Sequence, residues 1–169
     1  MKNPLTELDQ RVRRIEVERA ATQLLHEYAA RLDGVGGGSV GALFTEDGVL
    51  ELPDGVHQGR AGIEFVLAGA AAAAASTHHV VTNIRVVQVS GSRVWLVSSF
   101  LAILRRVGAS GVAWGHYHDV VELDADRPLF VRKRIEPLVR TDLVRGWPAD
   151  PGDLPDRHRH DEDEGRMHP

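Results

Sequence analysis

Ser76-Thr77-His78-His79-Val80-Val81-Thr82-Asn83-Ile84-Arg85-Val86 leaves an alanine-rich helical run and opens a β-branched one, so it reads as the entry to a long strand. Side chains alternate along a strand, so His78 and His79 point to opposite faces and one of them faces inward in either register. An inward imidazole at the edge of a core is either a satisfied structural residue or a proton-transfer group. What else the chain brings to that edge decides between them.

Upstream, Thr6 and Asp9 offer a capping pattern, and Leu8, Val12, Ile15, Leu24, Leu25, Tyr28 and Leu32 recur at near-helical spacing. This predicts a long amphipathic helix that stops at Gly34. Asp33 falls in its last turn, where a negative charge opposes the helix dipole. The glycine-rich 35–41 segment carries neither GxGxxG nor GxxxxGK and reads as a connector. A short helix capped by Ser39 is expected through Leu43 and Phe44, then a turn over 45–48. A strand over 49–52, the turn Pro53-Asp54-Gly55 and a partner strand over 56–59 follow. Arg60 to Ala75 reads as a second helix.

Downstream, strands are expected over 78–89, 94–107, 112–123 and 129–139, joined by short polar turns, hence an antiparallel meander. Trp95, Leu96, Val97 and Leu101 place apolar residues on both parities, so both faces of that strand are expected to be covered, one by helices and one by a second subunit. Helices first and a meander afterwards predict an α+β domain over 1–146. The segment 147–169, with Pro148, Pro151 and Pro155 and a charged, histidine-rich end, is expected to be a disordered tail.

Composition removes several function classes. The 169 residues carry a formal charge of -4, with no basic footprint for nucleic acid. The chain has no cysteine, hence no disulfide framework, thiolate metal site or cysteine nucleophile. No apolar run is long enough for a membrane span, and the first residues lack the apolar stretch of a signal peptide. A cytoplasmic location is expected.

The fold reading gathers Asp33, His79 and the histidines of Gly115-His116-Tyr117-His118-Asp119. Trp114, His116 and His118 share one face of their strand, and Tyr117 and Asp119 share the other. A carboxylate beside an imidazole fixes its tautomer and stabilises the imidazolium, so that the imidazole can take a proton. A second histidine would separate the acid and base roles. There is no nucleophile-elbow serine and no HExxH spacing. A metal held by Asp33, His79 and His116 remains a further reading of the same residues.

Three motifs carry a resemblance: Tyr28-Ala29-Ala30-Arg31-Leu32-Asp33, Ala42-Leu43-Phe44-Thr45-Glu46-Asp47-Gly48 and Gly59-Arg60-Ala61-Gly62-Ile63. In that order they resemble the SnoaL-like branch of the nuclear transport factor 2 superfamily. Thr77 to Arg85 resembles the histidine strand of the hexachlorocyclohexane dehydrochlorinase, and Gly115 to His118 is similar to a histidine strand of scytalone dehydratase. The similarity runs from about Leu5 to Thr141.

The resemblance implies a cone-shaped α+β fold, its curved mixed or antiparallel sheet packed against the N-terminal helices and enclosing one apolar pocket. It also implies cofactor-free acid–base chemistry on a small hydrophobic substrate, by dehydration or elimination, isomerisation or cyclisation. No cofactor and no metal are expected. Asp33, His79 and His116 take the catalytic positions. Tyr28, Phe44, Trp114, Tyr117, His118 and Arg134 are expected to bind substrate, and Leu50, Val66, Leu67 and Phe100 complete an apolar lining suited to a polyketide-, terpenoid- or steroid-like molecule. The Gly36-Gly37-Gly38 loop and the lack of tryptophan near Leu129 depart from the family pattern. A homodimer through the outer sheet face is expected. The alternative is a non-catalytic ligand-binding module or the small subunit of a ring-hydroxylating oxygenase-type complex, because the superfamily contains both.

Overall fold

The computed structural model describes residues 4–72, 74–106, 109–123 and 127–143. Helix α1 spans Pro4–Leu32, and a 3-10 turn at Gly41–Leu43 leads into β1, Phe44–Leu52. β2 is Gly55–Gln58, α2 is Arg60–Ala72, and β3 to β6 are Ser76–Ser90, Arg93–Arg106, Ala109–Leu123 and Pro128–Asp142. The six strands form one open mixed sheet in the order β2-β1-β6-β5-β4-β3. The expected meander is β3 to β6, and β1 joins β6 in parallel. The expected boundary at 146 and the tail over 147–169 lie outside the described residues.

Two elements differ from the sequence expectation. The segment 45–48 is part of β1 rather than a turn, through a register break between Phe44 and Val49. Gly48 makes this possible, because a Cβ there would stand 2.9 Å from the Cβ of Phe44. Helix α1 also outruns its support. At 29 residues it is about 44 Å long, while six strands span about 24 Å. Ala21, Leu24, Leu25 and Tyr28 are buried, but Leu8, Val12 and Ile15 are exposed. Only the second half of the apolar stripe meets the sheet.

The covered face of the sheet is a filled core. Phe44, Leu50, Ile63, Leu96, Val121 and Phe130 are all but inaccessible to solvent. Phe44 packs on Phe130 with ring centroids 5.2 Å apart, and Tyr28 meets both edge-on. Phe44 is therefore a core residue, and the expectation that it lines a substrate pocket is corrected: no part of its ring faces open space. Leu50 is filled in the same way.

The larger correction concerns β5. Ala113, Gly115, Tyr117, Asp119 and Val121 face the core, whereas Trp114, His116 and His118 face away from it. The register fixes this. His79 lies opposite Ala102 and Ala102 opposite Ala113, all on the covered face, while His116 lies opposite the outward Ser99. Arg134 pairs with His118 and is likewise on the outer face. The expectation that His116, His118, Trp114 and Arg134 share a pocket with His79 is therefore corrected. Placing Tyr117 inward buries an aromatic ring, and strand alternation then sends both histidines outward. Among the described residues, no helix is long and apolar enough to cross a membrane.

Candidate functional site

The site starts at the end of α1. Gly34 has φ 71, Val35 N–H donates to Ala30 O at 2.9 Å and Gly34 N–H to Arg31 O at 3.1 Å. This pair of bonds is the glycine-terminated helix end that satisfies the last carbonyls. Asp33 is the residue just before that glycine, so its side chain is thrown off the helix towards β3. Thr77 Oγ1–H donates to Leu32 O at 2.9 Å and ties the strand to the same helix end.

Asp33 then grips His79 twice. The His79 backbone N–H donates to Asp33 Oδ2 at 2.8 Å, and His79 Nδ1 lies 2.6 Å from Asp33 Oδ1. Both side chains are largely shielded, at 7% and 13% exposure, while His78 at 72% reaches the same carboxylate only at 3.6 Å. A carboxylate can only accept, so Nδ1 carries a proton, and in the neutral imidazole the lone pair is then on Nε2. The negative end of α1 disfavours an isolated carboxylate there. The His79 donors offset that penalty, so the two groups specify one another.

Beneath the pair, the sheet is layered. The rung at His79 runs through two methyl side chains, Ala102 and Ala113, to Arg140 on β6. Deeper lies Phe100, whose ring stacks on Tyr117 with centroids 4.5 Å apart and planes 11° apart. Burial pushes the Tyr117 phenol well above its ordinary range, and the negative charges of Asp119 and Asp33 push the same way. It therefore stays protonated and can donate a hydrogen bond at neutral pH. Tyr28 is held neutral for the same leading reason. Its hydroxyl and that of Ser98, the rung partner of Tyr117, are buried without a hydrogen-bond partner.

One buried pair was not anticipated from the sequence. Lys133 Nζ donates to Asp119 Oδ1 at 3.1 Å and Oδ2 at 3.2 Å, and both side chains are wholly buried. The ammonium lies 3.8 Å from the ring centre of Tyr117, 4.3 Å from Tyr28 and 4.8 Å from Phe130. Burial pushes Asp119 up and Lys133 down, each partly restored by the other. In sequence, Arg132-Lys133-Arg134 looks like a solvated charge run. Lys133 turns inward because β6 slips one residue between Phe130 and Arg132 opposite β5. The sequence offers only that Asp119 shares a strand face with Tyr117, without saying that this face is the covered one.

The expected site residues thus divide. Asp33 and His79 are joined, Tyr117 and Tyr28 lie on the covered face below them, and Phe44 is sealed in the core. His116, His118, Trp114 and Arg134 are on the far face, where His118 Nε2 lies 3.1 Å from Glu136 Oε2. The sheet separates His116 from Asp33 and His79, the other two residues of the alternative metal reading. Among the described residues, no group of three or more His, Cys, Asp or Glu side chains is placed to hold a metal ion.

Residues 13–134 match the SnoaL-like domain family. No curated protein matches the chain. Among solved structures, a protein provisionally named a scytalone dehydratase from Novosphingobium aromaticivorans is 26% identical with TM-score 0.70, the match covering 80% of this chain and 91% of that one. A protein provisionally named an aromatic ring hydroxylase from the same organism is 22% identical with TM-score 0.70, over 78% of this chain and 96% of the other. The type 2 hexachlorocyclohexane dehydrochlorinase LinA is 20% identical with TM-score 0.70, over 86% and 99%. The likenesses below 25% concern the fold.

Proposed function

Because the chain belongs to the SnoaL-like domain family, whose fold it shares with proteins named as a dehydratase and a dehydrochlorinase, we propose that it is a lyase- or isomerase-type enzyme working by general acid–base chemistry. The substrate is a small hydrophobic, polyketide-, terpenoid- or steroid-like molecule, and no cofactor takes part. The observation that carries this reading is the shielded Asp33–His79 contact of 2.6 Å, reinforced by the backbone bond to the same carboxylate. His79 Nε2 removes a proton beside a carbonyl or leaving group, and Asp33 stabilises the imidazolium that forms. Tyr117, neutral and facing the same side of the sheet, donates to the oxygen on which charge develops. It takes the role that the sequence assigned to His116. Water loss, isomerisation or ring closure then depends on what the substrate carries next to the carbanion.

The test is hydrogen exchange. Wild type, Asp33→Asn and His79→Ala are incubated in heavy water with hydrophobic ketones and hydroxy-ketones, following deuterium uptake and loss of water by mass. Uptake or water loss by wild type that both variants abolish supports the reading, and full turnover by His79→Ala overturns it.

The homodimer belongs to this proposal. Val80, Leu101 and Trp114 lie on one rung of the outer face, with Ile103 beside them, and Val80, Leu101 and Ile103 are exposed. Leu101→Glu is expected to yield monomers by light scattering. The same face supports the second reading, a non-catalytic partner subunit, for which a stable complex with a larger oxygenase-type chain and no exchange activity would be the finding.

A further inference from the structure

The Asp33–His79 chemistry makes no direct use of Lys133 and Asp119, yet they occupy the middle of the core. Lys133 lies opposite both Leu50 and Asp119, and Asp119 opposite Leu96, so the ion pair interrupts an apolar rung that crosses the central strands. Two apolar side chains of like volume would fill that space without the cost of burying charge. The ammonium has a second set of partners. It sits under the face of Tyr117 and also against Tyr28, whose centroid is 6.2 Å from that of Tyr117 at an interplanar angle of 84°. These are the only tyrosines in the chain. Both phenols are therefore held by one cation.

Resting on the acid–base reading above, we propose that Lys133 is a positioning residue, anchored by Asp119, that fixes the rings of Tyr117 and Tyr28, and with them their hydroxyl groups, on the side of the sheet that carries His79. Three features support this. A cation attracts the ring face electrostatically and only at close range, so Lys133 restrains both the tilt and the depth of each ring. Phe100, stacked on Tyr117, restrains the ring from a second side. The same cation draws electron density from the phenol and strengthens its hydroxyl as a donor. Asp119, with both oxygens on the ammonium, keeps Lys133 from swinging towards the hydroxyls themselves. Tyr28 is as enclosed as Phe44, with its hydroxyl buried and unpartnered, so it holds the cation in place beside Tyr117.

The test removes both charges together, since Lys133→Met alone strands a buried carboxylate. The Lys133→Met/Asp119→Leu protein is prepared with 13C at the tyrosine ring carbon bearing oxygen, which gives two signals, assigned by Tyr28→Phe. The double variant is expected to stay folded, to shift or broaden both signals, and to lose about 10²-fold in kcat with KM held. Both signals superimposed on wild type, or a kcat retained by the double variant, would overturn the proposal. The tyrosine signals need no substrate. Lys133 can thus fail its test while the His79→Ala result stands, and the tyrosines can respond even if exchange is never seen.

Discussion

Strand β5 has two faces that the sequence makes look equally chemical. One carries Trp114, His116 and His118, the other Tyr117 and Asp119. On the outer face the histidines lie among partly exposed neighbours, with His118 against Glu136 and the two imidazoles 6.5 Å apart edge to face. On the inner face the polar groups are enclosed, held by stacking and a buried cation, and shifted from their ordinary titration ranges. Residue type alone favours the histidines. Environment favours the tyrosine, because catalytic power comes from groups held in place where water is excluded. The contrast is sharp enough to be broken by experiment.

The largest effect belongs to the pair that bridges α1 and β3. On the proposed mechanism, His79→Ala removes the base and Asp33→Asn removes the group that fixes its tautomer. Each is expected to cut exchange or water loss by about 10²–10⁴-fold while leaving the fold intact, checked by circular dichroism. If a variant at His116 fell as far, the assignment of the working face would be reversed.

Next comes the buried ion pair. Lys133→Met alone is expected to destabilise by about 3–5 kcal/mol in denaturant titrations, because Asp119 is left charged and unpaired in the core. The variant lacking both charges should melt at least as high as wild type at pH 7. The sign follows from the direction of each shift. Asp119 is raised in the folded chain, so its ionised form opposes folding once pH exceeds the unfolded carboxylate range. Lys133 is lowered, so its charged form opposes folding below the unfolded lysine range. Between about pH 4 and pH 10 both penalties operate, and the double variant escapes both. A double variant clearly less stable than wild type across that window would show that the ion pair stabilises the core.

How much of this was legible follows from the same residues. The helix-end aspartate, the β-branched strand and the meander have local signatures: a glycine stop, alternation and polar turns. The meeting of Asp33 with His79 was expected because a helix terminus and a strand entry are each fixed by nearby sequence. The inner-face parity of β5 was not, since alternation gives two faces without saying which is covered. Lys133 was hidden further, because the slip in β6 between Phe130 and Arg132 changes parity with no glycine or proline to mark it. Long-range register decided both. The exposed first half of α1 escaped for a different reason, because helical periodicity carries no information about where the sheet ends.

Tyr117→Phe isolates the hydroxyl from the ring. The phenylalanine ring keeps the stack on Phe100 and the contact with Lys133, so stability should change little. Turnover is expected to fall by about 10²-fold, chiefly in kcat, because in the proposed mechanism the lost bond forms with an oxygen whose charge develops in the transition state. An equal rise in KM with kcat unchanged would instead make Tyr117 a ground-state binding group.

The smallest effect is the one that keeps the two faces apart. His116→Ala and His118→Ala alter outward side chains of β5, and His118 gives up its edge-to-face contact with His116 and a contact with Glu136 that is partly open to solvent. Each should change stability by no more than about 0.5 kcal/mol, as for other surface positions. Turnover should stay near wild type. If the outer face seats a second copy, these variants would weaken self-association seen by light scattering while exchange at fixed dimer content is unchanged. Loss of exchange in a protein that remains dimeric is the result that breaks the comparison, for it would require chemistry to reach across the sheet from the side opposite His79.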